Sequence, residues 1–242
     1  MARVLVTGAT GRLGTKAVRV LAEAGHEPRP FSRRAGGDLA TGEGLAEALD
    51  GVTWVLHAAS DSDTRDGAND VEATRRLLEA ARGVEHLLYL SIVGVDRIPY
   101  RYYGNKLACE RLVAASGIPF TILRATQFHE LGENVLREKE RRWLSVIYPF
   151  DFKVQLVAAL EVAERAAELL SGPPRREVAE FGGPQIMTVR EAVDTWRDLR
   201  GSLRVLPLPY PGKVSAAFRA GLNTTEHADG RQTWREFVRS LD

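Results

Sequence analysis

Along the first half of the chain, continuous apolar runs take turns with segments in which the apolar residues have helical spacing. An apolar run that begins at Val4 is followed by a segment with helical spacing that ends at Gly25. Continuous apolar runs, typical of buried parallel strands, lie at 53–60, 86–93 and 119–125. Segments with helical spacing separate them at 69–82 and 102–117. The pattern predicts right-handed βαβ units and a parallel sheet covered on both faces.

The pattern is less regular in the second half. Shorter extended segments are expected at 26–31, 37–39 and 176–183, and helices at 131–145, 159–170, 188–201 and about 230–241. Thr188 is a candidate N-cap, the helix at 131–145 reads as a charged, solvated one, and the proline-rich stretch 205–212 reads as an irregular surface connection. We expect an α/β fold, a Rossmann-type doubly wound parallel sheet in residues 1–130, with a smaller portion in 131–242 packed on it as one compact unit.

The charge balance and the cysteine content argue against several classes of function. The 242 residues include 33 basic and 32 acidic side chains, a net charge of +1, so no long-range field attracts nucleic acid or an anionic membrane. The single cysteine, Cys109, excludes an internal disulfide, and the five histidines have no metal-ligand spacing. No secretory segment or membrane-spanning run is evident. We expect a soluble, cytoplasmic protein without a metal.

Three glycines, Gly8, Gly11 and Gly14, lie directly after the first predicted strand and before the first predicted helix. In that context a tight turn lets the backbone approach a pyrophosphate, and the helix N-terminus offers free N–H groups. The alternative is a close strand–helix packing turn without a ligand. The position of the motif favours a dinucleotide-binding core and, with it, a substrate-binding role for residues 131–242.

The second predicted strand ends in Ser32, Arg33 and Arg34, without an acidic residue. NAD-selective folds place an acid there to accept hydrogen bonds from the ribose 2′-hydroxyl, and a carboxylate would repel a 2′-phosphate. Guanidinium groups bind phosphate in bidentate fashion, and Arg12 could reach the same group. The sequence therefore predicts NADP(H). The alternative is an exposed basic turn in an arginine-rich protein.

These segments resemble the atypical short-chain dehydrogenase/reductase superfamily, in particular its NmrA-like NAD(P)H-binding branch. TGATGRLG has the GxxGxxG form of that branch, GDL is similar to its adenine-contacting turn, and HAAS to the strand end beside the cofactor. The stretch from Leu90 to Phe128 resembles the part that carries a serine, a Tyr-xxx-Lys pair and the loop that flanks the nicotinamide. FGGPQIMTVREA is similar to the C-terminal part of the family.

The resemblance implies a set of cofactor contacts. The dinucleotide phosphates would be bound by Gly8, Thr10, Gly11, Arg12, Leu13 and Gly14. The 2′-phosphate would lie against Ser32, Arg33 and Arg34, the adenine against Asp38 and Leu39, and the ribose region against Ala58, Ala59 and Ser60. Both monomers and homodimers occur in this superfamily.

Tyr102 and Lys106 are four residues apart, so both project from one face of the predicted helix. A lysine ammonium beside a phenol stabilises the phenolate and lowers its pKa toward the range of a general acid, and the lysine can also bind the nicotinamide ribose. Ser91 ends the preceding strand, where its hydroxyl could hold a substrate carbonyl. The alternative is an ordinary contact between neighbouring helical turns.

Two further features bear on the chemistry. Extended members of the superfamily carry an asparagine for a proton relay where this chain has Asp70, and some NmrA-like members bind the dinucleotide without known turnover. Gln127, Phe128 and His129 follow the last core strand, at the end of the sheet where open α/β folds have their crevice. We expect Phe128 to stack on a flat substrate and His129 to contact substrate or carboxamide, or else to be structural.

The sequence leaves two main interpretations of function. The first is an NADPH-dependent oxidoreductase that transfers hydride to a small carbonyl or quinone-like substrate, with Tyr102, Lys106 and Ser91 as catalytic residues. The second is a redox sensor that binds NADP(H) and acts on a protein partner through the charged segment at 131–142. A nucleotide-sugar isomerase is a third interpretation, which the short C-terminal portion disfavours.

Overall fold

The computed structural model describes residues 1–60, 67, 69–141, 146–201, 205–207 and 209–241. The strands are β1 (Arg3–Thr7), β2 (Glu27–Phe31), β3 (Trp54–His57), β4 (His86–Ile92), β5 (Phe120–Ala125), β6 (Gln127–Phe128), β7 (Val146–Tyr148), β8 (Lys153–Val157), β9 (Val178–Phe181), β10 (Ile186–Thr188) and β11 (Val205–Pro207). The α-helices are α1 (Arg12–Glu23), α2 (Leu45–Ala48), α3 (Asp70–Ala80), α4 (Arg101–Ala115), α5 (His129–Arg141), α6 (Ala159–Ser171), α7 (Val189–Arg200), α8 (Lys213–Ala220) and α9 (Trp234–Arg239).

Six parallel strands form the main sheet, in the order β2-β1-β3-β4-β5-β9. Strand β2 contains Pro28 and Pro30, which have no N–H to donate, and it lies at the edge of the sheet, where a missing donor costs little. The order reverses between β1 and β3, since the chain runs to β2 on one side and returns to β3 on the other. The Rossmann-type parallel fold expected from the sequence is confirmed.

Side chains of the central strands alternate between two cores. In β1, Val4 and Val6 pack with the apolar faces of α1 and α6, whereas Leu5 points to the opposite layer beneath α3 and α4. Strand β4 divides in the same way, with Leu88 in the first core and Leu87 in the second. Burial on both faces explains why these strands read as continuous apolar runs in the sequence.

The sheet is not confined to residues 1–130. Strand β9 comes from the C-terminal half and pairs with β5, and α6 packs along α1. The remaining C-terminal elements form a smaller layer with a three-stranded sheet, β10-β8-β6, and a third core around Trp196 and Trp234. No helix among the described ranges is long and apolar enough to cross a membrane.

Some local predictions hold and others are wrong. Thr188 caps α7 in a reciprocal capping box with Glu191, as its position at the start of an amphipathic helix predicted. Residues 37–39 add no strand to the main sheet, because Asp38 makes only an isolated bridge to Glu43. Part of 205–212 is not irregular, since β11 pairs with β7. Predicted helical residues 142–145 lie outside the described ranges.

Candidate functional site

A cleft of about 1260 Å³ opens over the carboxyl ends of strands β1 to β5. It reaches the point where the strand order reverses, between β1 and β3. Open parallel sheets bind ligands at this position, because the loops on either side of the reversal diverge and leave a crevice. The chain thus places its candidate site where the topology alone predicts one.

Nearly every site residue expected from the sequence lines this one cleft. The lining residues include Gly8, Thr10, Gly11, Arg12, Leu13, Gly14, Ser32, Arg33, Arg34, Asp38, Leu39, Ala58, Ala59, Ser60, Ser91, Tyr102, Lys106, Gln127 and Phe128. His129 is not among them, although it directly follows Phe128. The cleft therefore joins the expected phosphate, adenine, ribose and catalytic groups in one continuous space.

The three positions in the turn after β1 need glycine for different physical reasons. Gly8 has a φ of +68°, and a Cβ there would lie 2.7 Å from the Cα of Ala59. A Cβ on Gly14 would lie 2.1 Å from the carbonyl oxygen of Gly8, whereas the nearest atom to a Cβ on Gly11 is that same oxygen, at 3.1 Å. Close packing of the protein's own backbone thus requires Gly8 and Gly14. Only Gly11 is left to keep the approach to the cleft open.

The N-terminus of α1 fits a diphosphate. Helix α1 begins at Arg12 after Gly11, which has no side chain to accept from the first-turn amides, and the first turn carries no acidic residue. The amides of this turn border the cleft and combine with the helix dipole to favour an anion. The amides of Arg12, Leu13 and Gly14 are thus placed to meet a phosphate, whereas the amide of Gly11 donates to the carbonyl oxygen of Gly8 at 2.9 Å.

The turn after β2 carries the two expected phosphate-binding arginines. Arg33 and Arg34 lie in a 3-10 turn, Arg33–Ala35, and both are exposed at the rim of the cleft. Gly36 closes the turn with a φ of +84°. The hydroxyl of Ser32 is buried and has no hydrogen-bond partner in the part of the chain that the structure describes, so a polar acceptor or donor from a ligand would satisfy it. These features fit a phosphate group at the end of β2.

The next turn, at Asp38 and Leu39, also borders the cleft. The carboxylate of Asp38 accepts a hydrogen bond from the amide of Ala40 at 2.8 Å, which shapes the turn. Leu39 is 8% exposed and packs into the core beneath α3, while Arg76 donates to its carbonyl oxygen at 2.8 Å. Leu39 therefore has only a small surface left for an adenine contact.

A buried polar chain supports the turn after β3. The imidazole of His57 contacts the hydroxyl of Thr7 through Nδ1 at 2.8 Å and that of Thr74 through Nε2 at 3.0 Å. The amide of Ala59 donates to Thr7 Oγ1 at 3.3 Å. Burial, with a smaller contribution from Lys106, lowers the pKa of His57 to about 3, so its ring is neutral. His57 thus fixes the backbone at Ala59 and carries no charge into the cleft.

Three side chains from three separate elements meet beside the cleft. The hydroxyl of Tyr102, on α4, lies 3.2 Å from the hydroxyl of Ser60, after β3. Ser60 in turn donates to Oδ2 of Asp70, the first residue of α3, at 2.7 Å. Asp70 is 5% exposed. Because the hydroxyl of Ser60 has one hydrogen, which Asp70 receives, Tyr102 is the donor in the first of these bonds.

Lys106 does not act on Tyr102 as the spacing predicted. Its ammonium group is buried and lies over the ring of Tyr89, 4.6 Å from the ring centre. Burial raises the pKa of Tyr102, a hydrogen bond with Ser60 offsets part of the increase, and the Asp70 carboxylate adds to it. The expected lowering of the Tyr102 pKa is therefore wrong for this structure. Burial also lowers the pKa of Lys106, and Asp70 opposes that change.

Ser91 and the base of α4 complete this end of the cleft. Ser91 is 2% exposed, lines the cleft, and its hydroxyl has no hydrogen-bond partner among the described residues. Behind it, Arg124 on β5 binds both carboxylate oxygens of Glu110 on α4, at 2.9 and 2.7 Å. The ion pair is almost fully buried and fixes α4 against the sheet. Its effect is to hold Tyr102 and Lys106 at the edge of the cleft.

The residues after β5 divide between the cleft and the core. Gln127 lines the cleft, and its side-chain amide donates to the hydroxyl of Tyr103 at 3.0 Å, while Phe128 is half-buried at the cleft wall. His129 is fully buried, stacks on Phe237 at 4.9 Å between ring centres, and contacts the carbonyl of Gln232 through Nε2. Because it packs against the C-terminal helix α9, we correct its assignment from substrate contact to core residue.

A further wall of the cleft is apolar and comes from the C-terminal half. It comprises Leu131, Gly132, Val135, Leu136, Val154, Leu156, Val189, Ala192, Val193, Val214, Phe218 and Trp234. Helix α5 therefore has an apolar face over the cleft, whereas the sequence predicted only its charged, solvated face. This wall was not predicted from the sequence, where its only local signal is the helical spacing of apolar residues in α5 and α7.

Comparison with known families decides the assignment. Residues 8–142, which contain the glycine turn, the arginine turn and the Tyr102–Lys106 pair, match a family of proteins described as NAD(P)H-binding. This match covers more than half of the chain. The chain belongs to this NAD(P)H-binding family. The resemblance stated from the sequence motifs is confirmed.

Several curated relatives of this NAD(P)H-binding chain are oxidoreductases. It is 28% identical to a ceramide reductase from Caulobacter vibrioides over 88% of this chain and 75% of that protein. It is 30% identical to a (4-alkanoyl-5-oxo-2,5-dihydrofuran-3-yl)methyl phosphate reductase from Streptomyces griseus over 78% of this chain and 70% of that protein. A match to a 3-beta-hydroxysteroid dehydrogenase from Mycolicibacterium neoaurum, at 30% identity, covers 48% of this chain and 42% of that longer protein.

The fold of the family member also matches solved structures. The NADPH-dependent quinone oxidoreductase QOR2 from Escherichia coli, complexed with NADPH, superimposes with a TM-score of 0.76. The two proteins are 21% identical, and the match covers 98% of this chain and 99% of that one. The likeness shows that both chains have the same fold.

Proposed function

We propose that this NAD(P)H-binding protein is an NADPH-dependent oxidoreductase that transfers hydride to a small carbonyl or quinone-like substrate. One observation carries the proposal: a single cleft brings the first turn of α1, the arginine turn after β2 and the group of Ser91, Tyr102 and Lys106 together. A cofactor that spans these groups would have its phosphates at one end and its reactive ring at the other.

The preference for NADPH rests on the turn after β2. Arg33 and Arg34 are exposed at the cleft rim, where no described acidic side chain takes the place of the usual ribose-binding carboxylate. Two guanidinium groups favour a phosphate over a hydroxyl, because charge-assisted hydrogen bonds are about twice as strong as neutral ones. Arg12, at the start of α1, adds a third positive charge at the same rim.

The proposed catalytic roles belong to the side chains at the other end of the cleft. When bound, the reduced nicotinamide supplies the hydride. The unsatisfied hydroxyl of Ser91 would donate to the substrate oxygen, and Tyr102 would transfer its proton to that oxygen as it gains charge. Lys106 is buried below, and in this proposal its ammonium group binds the nicotinamide ribose. Because burial raises the pKa of Tyr102, the phenol keeps its proton until the substrate oxygen gains charge.

The expected substrate is apolar around its carbonyl group. The cleft is also lined by aliphatic and aromatic side chains from α5, β8 and α7, and by Val214 and Phe218 of α8, which pack in the same cluster as Tyr102. Phe128 offers a ring on which a flat molecule can stack, and Gln127 lies beside it. The names of the two reductase relatives support reduction as the reaction class.

NADPH consumption over a panel of quinones, aldehydes and apolar ketones tests the proposal. We expect turnover with at least one class, and a loss of about 10²- to 10⁴-fold in kcat for Tyr102→Phe, since that is the usual contribution of a general acid. Tyr103→Phe is the matched comparison, because it removes the neighbouring hydroxyl, whose partner is Gln127. It is expected to cost less than about tenfold, the value of one neutral hydrogen bond.

Two outcomes would contradict this function. Full turnover in Tyr102→Phe would remove this residue from the chemistry. Tight NADPH binding without consumption on any substrate would favour the alternative, a redox sensor that acts on a protein partner.

A further inference from the structure

The contact between Ser60, Asp70 and Tyr102 carries an inference beyond the proposed reaction. The three polar groups come from the β3 turn, the start of α3 and the start of α4, and their side chains form a continuous hydrogen-bonded chain. Asp70 lies almost fully buried at the first position of α3, where the helix dipole favours a carboxylate. A packing interaction alone would not require a buried charge at this point.

We propose that Asp70, acting through the hydroxyl of Ser60, is a positioning residue that keeps Tyr102 in its protonated form, so that the site works as an acid. The proposal rests on the proposed reductase function for its catalytic meaning. The structural part is independent, because it concerns the protonation of Tyr102 in the protein alone.

The direction of the hydrogen bonds supports this role. Ser60 has one proton and donates it to Asp70 at 2.7 Å, so its oxygen can only accept from Tyr102. If Tyr102 loses its proton, Ser60 can stabilise the phenolate only by turning its own proton away from Asp70. The carboxylate competes for that proton, and its negative charge also opposes the phenolate. Asp70 thus limits the stabilisation that Ser60 can give the phenolate, and its charge adds to the effect of burial in favouring the protonated tyrosine.

The surroundings of Tyr102 contain no second described carboxylate with such an effect. The other titratable groups coupled to Tyr102 are Tyr89 on β4, Tyr100 before α4, and Tyr103 and Cys109 on α4. Asp70 also acts on Lys106, whose positive charge it favours. Gly67 closes the group, because a Cβ there would lie 3.0 Å from the ring of Tyr102 and 3.2 Å from Oδ2 of Asp70. The contact between ring and carboxylate is therefore tightly packed.

The proton balance of the reductive step is simple. The O–H bond of Tyr102 breaks, its proton goes to the substrate oxygen, and that oxygen takes the electron pair of the C=O π bond as the carbon accepts hydride. The product is an alcohol, and Tyr102 is left as a phenolate. Solvent water then returns a proton to the phenolate. In the proposal, Asp70 and Ser60 make that return favourable over a wide pH range.

The test is the pKa of Tyr102 itself, measured by NMR on the full chain with carbon-labelled tyrosine. The Tyr102 signal is assigned by its loss in Tyr102→Phe. Asp70→Asn is expected to lower the pKa by about one unit, since it removes a nearby like charge. Glu72→Gln is the matched control: Glu72 lies on the same helix, is 63% exposed, and is not among the groups coupled to Tyr102. We expect almost no change in that variant.

A double-mutant cycle separates the role of Ser60 from simple charge repulsion. In a Ser60→Ala background, Asp70→Asn is expected to lower the Tyr102 pKa by less than half as much, because no hydroxyl links the two groups. An equal shift in both backgrounds would overturn the role of Ser60. No shift in either would overturn the role of Asp70. If Asp70→Asn does not fold, Asp70→Ser removes the same charge with a residue that helix starts accept.

Activity measurements distinguish this proposal from the proposed function. In the reductase assay, Asp70→Asn should move the alkaline limb of kcat to lower pH by the same amount, because the acid form of Tyr102 is lost earlier. A pKa shift in a protein without any turnover would support the positioning role and contradict the reductase. Turnover without a pKa shift would do the reverse.

Discussion

The two ends of the cleft are built in different ways. At the end proposed to bind the phosphates, here the phosphate end, the main chain lines the cleft: the turn after β1 places helix amides there, and contacts within the backbone require Gly8 and Gly14. At the catalytic end, side chains supply it, since Ser60, Asp70 and Tyr102 come from three elements and meet only through their terminal atoms.

The two ends therefore tolerate different substitutions. A change in the glycine turn alters both the fold and the binding site, because the same atoms serve both. A change at Ser60 or Tyr102 removes a functional group at the cleft and leaves the backbone in place. The catalytic end instead depends on the ion pair between Arg124 and Glu110, which holds α4 to the sheet at a distance from the reacting atoms.

The largest effect on stability is expected at that ion pair. Arg124→Met leaves the carboxylate of Glu110 buried without its partner, and we expect the free energy of unfolding to fall by about 3–5 kcal/mol. Denaturant unfolding measures the change. Arg124→Met combined with Glu110→Leu should recover most of the loss, because no buried charge is left unpaired: Asp96, which also pairs with Arg124 at 3.1 Å, is exposed to solvent. A single variant as stable as the parent protein would show that α4 is held by other contacts.

A smaller effect is expected in the glycine turn. Gly14→Ala places a Cβ 2.1 Å from the carbonyl oxygen of Gly8, so we expect a loss of about 1–3 kcal/mol in stability together with weaker NADPH binding. Thermal unfolding and cofactor titration measure both. Gly104→Ala is the control: it lies inside α4 with nothing within 4 Å of its Cβ, and it should stabilise the protein by about 0.5–1 kcal/mol. If Gly14→Ala lost stability but bound NADPH as the parent protein does, the turn would not serve both the fold and the binding site.

The phosphate end was the more predictable from the sequence because its signals are local. The glycine spacing, the strand before it and the helix after it lie within one βα unit, and the arginine turn follows the next strand. The same holds for the strands that read as continuous apolar runs, and for the Thr188 cap, whose partner is three residues away.

The catalytic end and the C-terminal wall depend on contacts between distant segments. Tyr102 and Lys106 share a helix, which their spacing predicted, yet the partner of Tyr102 is Ser60, on another element. His129 is buried because α9 covers it, and β11 exists because it pairs with β7. Neither pairing leaves a periodic signal in its own segment.

The most direct test of the account is the affinity of the chain for NADPH and NADH, measured by titration for the parent protein and for Arg33→Ala/Arg34→Ala. We predict that the double variant binds NADPH about ten- to a few hundredfold more weakly, the value of one or more charge-assisted hydrogen bonds, and binds NADH as the parent does. Arg19→Ala, an exposed arginine on α1 outside the cleft, should change neither affinity. Equal weakening for both cofactors, or no change for NADPH, would contradict the assignment of this turn to the 2′-phosphate.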